Sequence, residues 1–297
     1  MPPRHLYLAL SLLAIAHADQ NLPSFLPIKG VQKLQPSPIV EASGLAISSA
    51  DSGFMWLVND SGGAPDIYLT STAGTYRGKV TVQGTKNIDW EDLASFSLAG
   101  QNYLLIADTG DNASQRDSCT LHILREPSLP VARENLDAIA HPAWQIQFRY
   151  EDGPRDCEAV AVDAKAGKIL LISKRTQPPQ IYELPLRAPK KHSIQTARNI
   201  GQMTVNCPVF SLIPFRDQPV GLSITADHSL AAVVTYYSIF LFPRQPTESW
   251  AGALSRPPMI LPPHALGQAE SVTFSKDGKT LYSVAEGIES PIKSYQK

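Results

Sequence analysis

The chain has 297 residues, 43% of them apolar, with 25 prolines, 18 glycines and a formal net charge of −1. That apolar share is enough for a full core and argues against disorder. The near-neutral balance, with Lys190-Lys191-His192 as the densest basic run, gives no reason to expect nucleic-acid binding.

Residues 1–18 read as a secretory signal: Arg4 and His5, then the apolar stretch Leu6 to Ala16, then the cleavage pattern Ala16-His17-Ala18. The apolar stretch is about eleven residues, short of the roughly twenty that a spanning helix needs. An uncleaved anchor is the alternative. Residues 19–297 are expected to form one exported domain, secreted or periplasmic, monomeric and without a membrane span after cleavage. An oxidising compartment permits one disulfide among Cys119, Cys157 and Cys207, whose spacing does not choose the pair, and buried free thiols are the other reading.

After a short stretch ending at Gln35-Pro36-Ser37-Pro38, a repeat begins. Glu41-Ala42-Ser43-Gly44-Leu45-Ala46 is followed by Asp89-Trp90-Glu91-Asp92-Leu93-Ala94, Asp156-Cys157-Glu158-Ala159-Val160-Ala161, Gln218-Pro219-Val220-Gly221-Leu222-Ser223 and Gln268-Ala269-Glu270-Ser271-Val272-Thr273. Aligned on Ser43, Glu91, Glu158, Val220 and Glu270, each copy leads to a second apolar strand that ends at Asp60, Asp108, Lys174, Tyr236 and Glu286. The offsets are 17, 17, 16, 16 and 16 residues. Turns such as Ala50-Asp51-Ser52-Gly53 and Ser275-Lys276-Asp277-Gly278 separate the paired strands, with residue types that tolerate positive φ. Third strands follow at 66–70, 120–125, 180–184, 238–242 and 291–295, and fourth strands at 79–83, 144–150, 193–200 and 259–261.

Repeated four-stranded antiparallel units predict an all-β β-propeller. Five blades are detectable, with six kept open for a diverged copy, and a β-sandwich as the alternative architecture. The fifth copy lacks its last strand, which residues 29–34 can supply to close the ring.

The first strand of each blade lines the channel, so the repeated acids converge there. Asp89, Glu91, Asp156, Glu158 and Glu270 are the candidate metal ligands. Like charges in a partly dry channel repel strongly and need compensation, for which Ca²⁺ with its six to eight oxygen ligands is the simplest candidate. Protonated carboxyls, water, or acids that merely cap strands are the rivals. Asp108-Thr109-Gly110-Asp111-Asn112 and Asn59-Asp60-Ser61-Gly62-Gly63 put oxygen donors on glycine-bearing turns at strand ends, and make Asp108 and Asp60 the candidate general bases. Lys174-Arg175 can bind an anion or form salt bridges to Asp156 or Glu158, and Tyr236 can wall the same pocket. No nucleophile elbow surrounds Ser61, and the scattered histidines form no catalytic or zinc pattern.

The pattern of acid, apolar residue and Ala on the inner strand, followed by Asp at the end of the next, resembles the secreted propellers related to gluconolactonases, phytase-like esterases and calcium-dependent nucleotidases. That resemblance implies a calcium ion in or near the channel, Glu91, Glu158 and Glu270 as the ion-facing carboxylates, and hydrolysis of lactones, esters or phosphate compounds. Val220 breaks the pattern in the fourth copy. Two functions follow as expectations: a calcium-dependent hydrolase acting on a small-molecule substrate, or a non-catalytic propeller binding a protein, glycan or small ligand.

Overall fold

The computed structural model describes residues 24–30, 32–131, 134–187, 193–205 and 215–297. The leader and Cys207 lie outside them. Cys119 and Cys157 are buried free thiols.

The short strands β1 (Leu26–Pro27) and β2 (Gln32–Lys33) open the described chain. The first blade is β3 (Ala42–Ile47), β4 (Phe54–Asn59), β5 (Asp66–Ser71) and β6 (Tyr76–Val82). The second is β7 (Trp90–Leu98), β8 (Gln101–Asp108) and β9 (Cys119–Arg125), then, after β10 (Leu136–Ala140), β11 (Trp144–Tyr150). The third is β12 (Cys157–Asp163), β13 (Lys168–Ser173), β14 (Gln180–Pro185) and β15 (Gln195–Gln202). The fourth is β16 (Pro219–Ile224), β17 (Leu230–Thr235), β18 (Ile239–Pro243) and β19 (Met259–Ile260), with the one-turn helix α1 (Trp250–Leu254) before β19. The fifth is β20 (Ala269–Phe274), β21 (Thr280–Ala285) and β22 (Pro291–Gln296). Both β1 and β2 pair antiparallel with β22, so the N-terminal strands complete the last blade. Each inner strand packs on the next through β3, β7, β12, β16 and β20, and β20 returns to β3. The protein is a five-bladed β-propeller.

Two pairings tie neighbouring blades together. Strand β10, which leaves the second blade, adds parallel to the outer strand β6 of the first, and β11 pairs parallel with β15 of the third. Apolar side chains from alternate positions of facing blades fill the wedges between sheets, as in the cluster of Leu105, Ile123, Phe148, Val160 and Leu171 between the second and third blades. Among the described residues no helix is long and apolar enough to cross a membrane.

The inner strands have one unpaired edge, and closing the ring buries it. Their inward N–H groups therefore need acceptors inside the channel. Asp92 supplies them: its Oδ1 accepts from the Leu93 N–H at 2.8 Å, and its Oδ2 accepts from Val160 at 2.8 Å and from Leu222 at 3.1 Å. One carboxyl thus bridges the second, third and fourth blades at the axis. The equivalent positions are small, namely Gly44, Ala159, Gly221 and Ser271. A Cβ on Gly44 would lie 2.7 Å from the Asp92 carbonyl carbon and the Leu93 nitrogen, so the closeness of the first two blades depends on that glycine.

Candidate metal centre

All five inner strands carry a β-bulge at the same place. The register slips between Ala42 and Gly44, Trp90 and Asp92, Cys157 and Ala159, Pro219 and Gly221, and Ala269 and Ser271. The residues left without a ladder partner are Ser43, Glu91, Glu158, Val220 and Glu270, the positions on which the repeat aligns. A bulge re-aims the side chain it carries. At one end of the channel it brings acids from neighbouring blades into two groups that share Glu91.

One group is Asp60, Asp89 and Glu91, and the other is Glu91, Asp156 and Glu158; in each, one ligand atom per residue lies within 4.8 Å of the others. Asp60 and Asp89 are half-buried, while Glu91, Asp156 and Glu158 are buried. Their charges are compensated unequally. Lys174 Nζ pairs with Glu158 Oε1, and Arg175 Nε pairs with Asp156 Oδ2 at 2.6 Å. The Asp111 N–H donates to Asp156 Oδ1 at 2.9 Å, and Arg175 also reaches Asn112 Oδ1. Glu91 has no such cation, and Glu158 Oε2 is buried without a hydrogen-bond partner among the described residues.

The titration of these groups records the crowding. Burial first, then the Glu158 charge, push Glu91 well above the usual carboxyl range. Burial and the neighbouring Asp60 push Asp89 up to about 6. Burial pushes Glu158 up to about 7 against the opposing pull of Lys174. Burial and the Glu158 charge push Glu270 up to about 9.

Glu270 joins neither group. Tyr236 donates its OH to Glu270 Oε1 at 3.1 Å, Glu286 stands beside it, and Lys174 Nζ lies 5.3 Å from the centre of the Tyr236 ring. From the second acid group a chain of contacts therefore runs Glu158, Lys174, Tyr236, Glu270, with Lys174 and Arg175 both used in ion pairs.

Asp108 is placed elsewhere. It pairs across the ladder with Trp90, and the position matching Asp60 falls on Thr109, whose N–H donates to the Asp89 carbonyl at 3.1 Å. A one-residue shift on a strand reverses the side chain. Asp108 accordingly turns away from the acid groups to an ion pair with Arg116 at 2.8 Å, with His122 at 3.8 Å.

Gly110 closes the first group from above. A Cβ there would sit 2.2 Å from Glu91 Oε1 and 2.4 Å from Asp89 Oδ2. Its backbone φ lies outside the left-handed region, so Gly110→Ala fits the chain but displaces both carboxylates. Titration calorimetry is expected to show cation affinity falling by about tenfold or more with the thermal midpoint nearly unchanged, since misplacing two charged ligands costs at least ~1.4 kcal/mol.

Asp92, which holds the ring, belongs to this region without having been separable by spacing, whereas Glu286, which stands against Glu270, is the strand-end position that the spacing marked in the fifth copy. The acidic character of the Asp89-to-Asp92 run was the only signal for Asp92.

No protein-family model matches the chain, and no curated protein matches it. Among solved structures, a chain of a nidogen–laminin complex is similar at 16% identity with a TM-score of 0.47, covering 84% of this chain and 73% of that one. Hydrazine synthase of Kuenenia stuttgartiensis is similar at 12% identity with a TM-score of 0.43, covering 82% of this chain and 68% of that one. Neither likeness is close enough to bear on function. The fold rests on the strand pairing, and the resemblance to gluconolactonase-like propellers rests on the inner-strand motifs alone.

Proposed function

We propose that Asp60, Asp89 and Glu91 hold a calcium ion at the channel mouth of an exported hydrolase acting on an ester, lactone or phosphate compound. The observation that carries this reading is Glu91, a buried carboxylate shared by both acid groups and lacking any ion pair among the described residues. A set of oxygen donors without histidine suits a hard cation. The half-buried Asp60 and Asp89 leave that group open to solvent on their side.

Bound calcium supplies Lewis-acid polarisation of a substrate oxygen and makes a nearby water more acidic. Glu158 is the residue placed to take a proton. Lys174 fixes one of its oxygens, the other is buried and unpartnered, and its pKa of about 7 is where a general base works at neutral pH. Asp108, committed to Arg116, has no part in this mechanism. Lys174 and Arg175 offer positive charge to an anionic oxygen, and Tyr236 walls the pocket beside them.

A non-catalytic binding propeller is favoured instead by one feature: Lys174 and Arg175 already neutralise Glu158 and Asp156 without any chemistry. Calcium titration of the purified protein is expected to give one site in the range of extracellular modules, about 10⁻⁴ to 10⁻³ M. A screen of ester, lactone and phosphate substrates is expected to show turnover that a chelator removes. Glu158→Gln should lower kcat by about 100-fold while leaving calcium affinity in place. Calcium binding with a blank screen supports the binding propeller, and no calcium binding sinks the metal centre.

A further inference from the structure

The half-buried side of the first acid group opens onto a rim that carries exposed apolar side chains. The rim is built from the connection into β3, the turn from β4 to β5, the connection into β7 and the turn from β21 to β22, which antiparallel pairing brings to the end of the channel where Asp60 and Asp89 stand. Hydrogen bonds join these segments in a row. The Gly287 N–H donates to the Val40 carbonyl at 3.0 Å, and the Val40 N–H donates to Asn59 Oδ1 at 3.2 Å. Asn87 Nδ2 then donates to the carbonyls of Asn59 at 3.0 Å and Asp60 at 2.6 Å. Along that row Ile288, Val40 and Ile88 are 75%, 40% and 57% exposed.

Solitary exposed apolar residues are ordinary on a protein surface. Three on one hydrogen-bonded row, with Ile88 next in sequence to Asp89 and the row passing through Asn59 beside Asp60, form a patch at the open acid group. The backbone around Ile288 is also unusual: Gly287 and Glu289, on either side, have positive φ values of 111° and 51°, which glutamate rarely adopts. Within residues 38–41, 59–64, 85–89 and 286–290 the charged side chains are Glu41, Asp60, Asp89, Glu286 and Glu289 against Lys86. That excess is more than the two charges of a calcium ion cancel, and Lys174 and Arg175 on the third blade are already paired. An anion meets repulsion here, while an uncharged apolar chain meets a surface that gains by being covered.

We propose, resting on the hydrolase reading above, that the substrate is an uncharged ester or lactone with an apolar chain, and that Ile88, Val40 and Ile288 hold the chain. With the reacting carbonyl at the group of Asp60, Asp89 and Glu91, the chain meets Ile88 first and continues along the row to Val40 and Ile288. Water cleaves the acyl–oxygen bond, its hydroxyl going to the acyl carbon and its proton to the alcohol oxygen, so no further reactant is needed. Phosphate compounds leave the substrate range.

Kinetics with the p-nitrophenyl esters of hexanoate, acetate and phosphate, with calcium present, test this directly. kcat/KM for hexanoate is expected to exceed that for acetate by about tenfold, well short of what four fully buried methylenes give, because the rim is open on one side. The phosphate should be turned over more slowly than either. Ile88→Ser and Ile288→Ser should each lower the hexanoate-to-acetate ratio severalfold through KM, and Ile139→Ser, 66% exposed on β10, should leave it unchanged. A wild-type ratio near one, a ratio that the double variant of Ile88 and Ile288 keeps, or faster turnover of the phosphate overturns the proposal while the hydrolase stands. If no ester is turned over, the hydrolase reading falls, and ligand-observed NMR with hexanamide decides the rim by itself. Hexanamide bound at about 10 mM and released by the double variant supports an apolar-ligand site, whereas hexanamide unbound, or bound equally by the variant, overturns it.

Discussion

Asp92→Asn is expected to destabilise the protein by about 2 to 4 kcal/mol in urea unfolding, and Asp92→Ala by more, although neither change touches the acid groups at the mouth. The carboxyl accepts three backbone N–H bonds and is fully buried. An asparagine has one acceptor oxygen and presents an NH₂ group where the carboxylate had its second. In one orientation Leu93 keeps its bond and Val160 and Leu222 face a donor. In the other, those two keep theirs and Leu93 loses its own. Each buried donor left unsatisfied costs about 1 to 3 kcal/mol, and alanine strands all three beside a void. Burial pushes the Asp92 carboxyl well above the usual range while the three N–H groups pull it back, so the residue is costly to keep and costlier to lose. The comparison variant is Ser43→Ala, which removes a single bond, 2.7 Å to the Trp90 carbonyl, and should cost about 1 kcal/mol. An unchanged midpoint for Asp92→Asn would show that the ring does not depend on this group.

The fivefold repeat was legible because each blade carries one bulge at one place, and a bulge fixes a spacing that hydrophobic alternation alone does not. The same spacing misplaced Asp108. The second hairpin is built on a two-residue turn, Ala99-Gly100, with both φ values positive at 49° and 75°, joining longer strands than in the other blades. Its bulge-to-end distance is therefore one residue greater than the repeat suggests, and an acid happens to occupy the neighbouring site. Asp92 was unreadable for a different reason: its partners Val160 and Leu222 stand 68 and 130 residues away, and only closure of the ring makes their N–H groups face it. The parallel additions of β10 to β6 and β11 to β15 share that cause, since pairing between blades leaves no local pattern. The place of Glu270 follows from Tyr236 on the adjacent blade, whose hydroxyl takes up the carboxyl before it can approach Glu91.

Protons and a calcium ion are rival ways of quieting the crowded mouth, and they part company with pH. After treatment with a chelator, the thermal midpoint is expected to fall as pH rises from about 5 to about 8, and added calcium should remove most of that fall. Folding raises Asp89 from 3.8 to about 6 and Glu158 from 4.5 to about 7. Groups shifted upward bind protons more tightly folded than unfolded, so their favourable contribution is complete below the unfolded values and is lost as pH climbs through the folded ones. For Glu158 alone the shift corresponds to about 3 kcal/mol, and for the more exposed Asp89 solvent screening leaves less. Calcium competes for the deprotonated carboxylates, so its affinity should strengthen over the same interval. At about a hundredfold excess over Kd it contributes about 2.7 kcal/mol, equivalent to roughly 5 to 10 °C in a chain of this size, at pH 8 but hardly at pH 5. Asp89→Asn combined with Glu91→Gln should abolish the calcium response and reduce the pH dependence to the part that Glu158 carries through burial. A chelated protein whose midpoint is level across this range, with calcium adding nothing, would mean that Lys174 and Arg175 balance the acids unaided and that the mouth needs no ion.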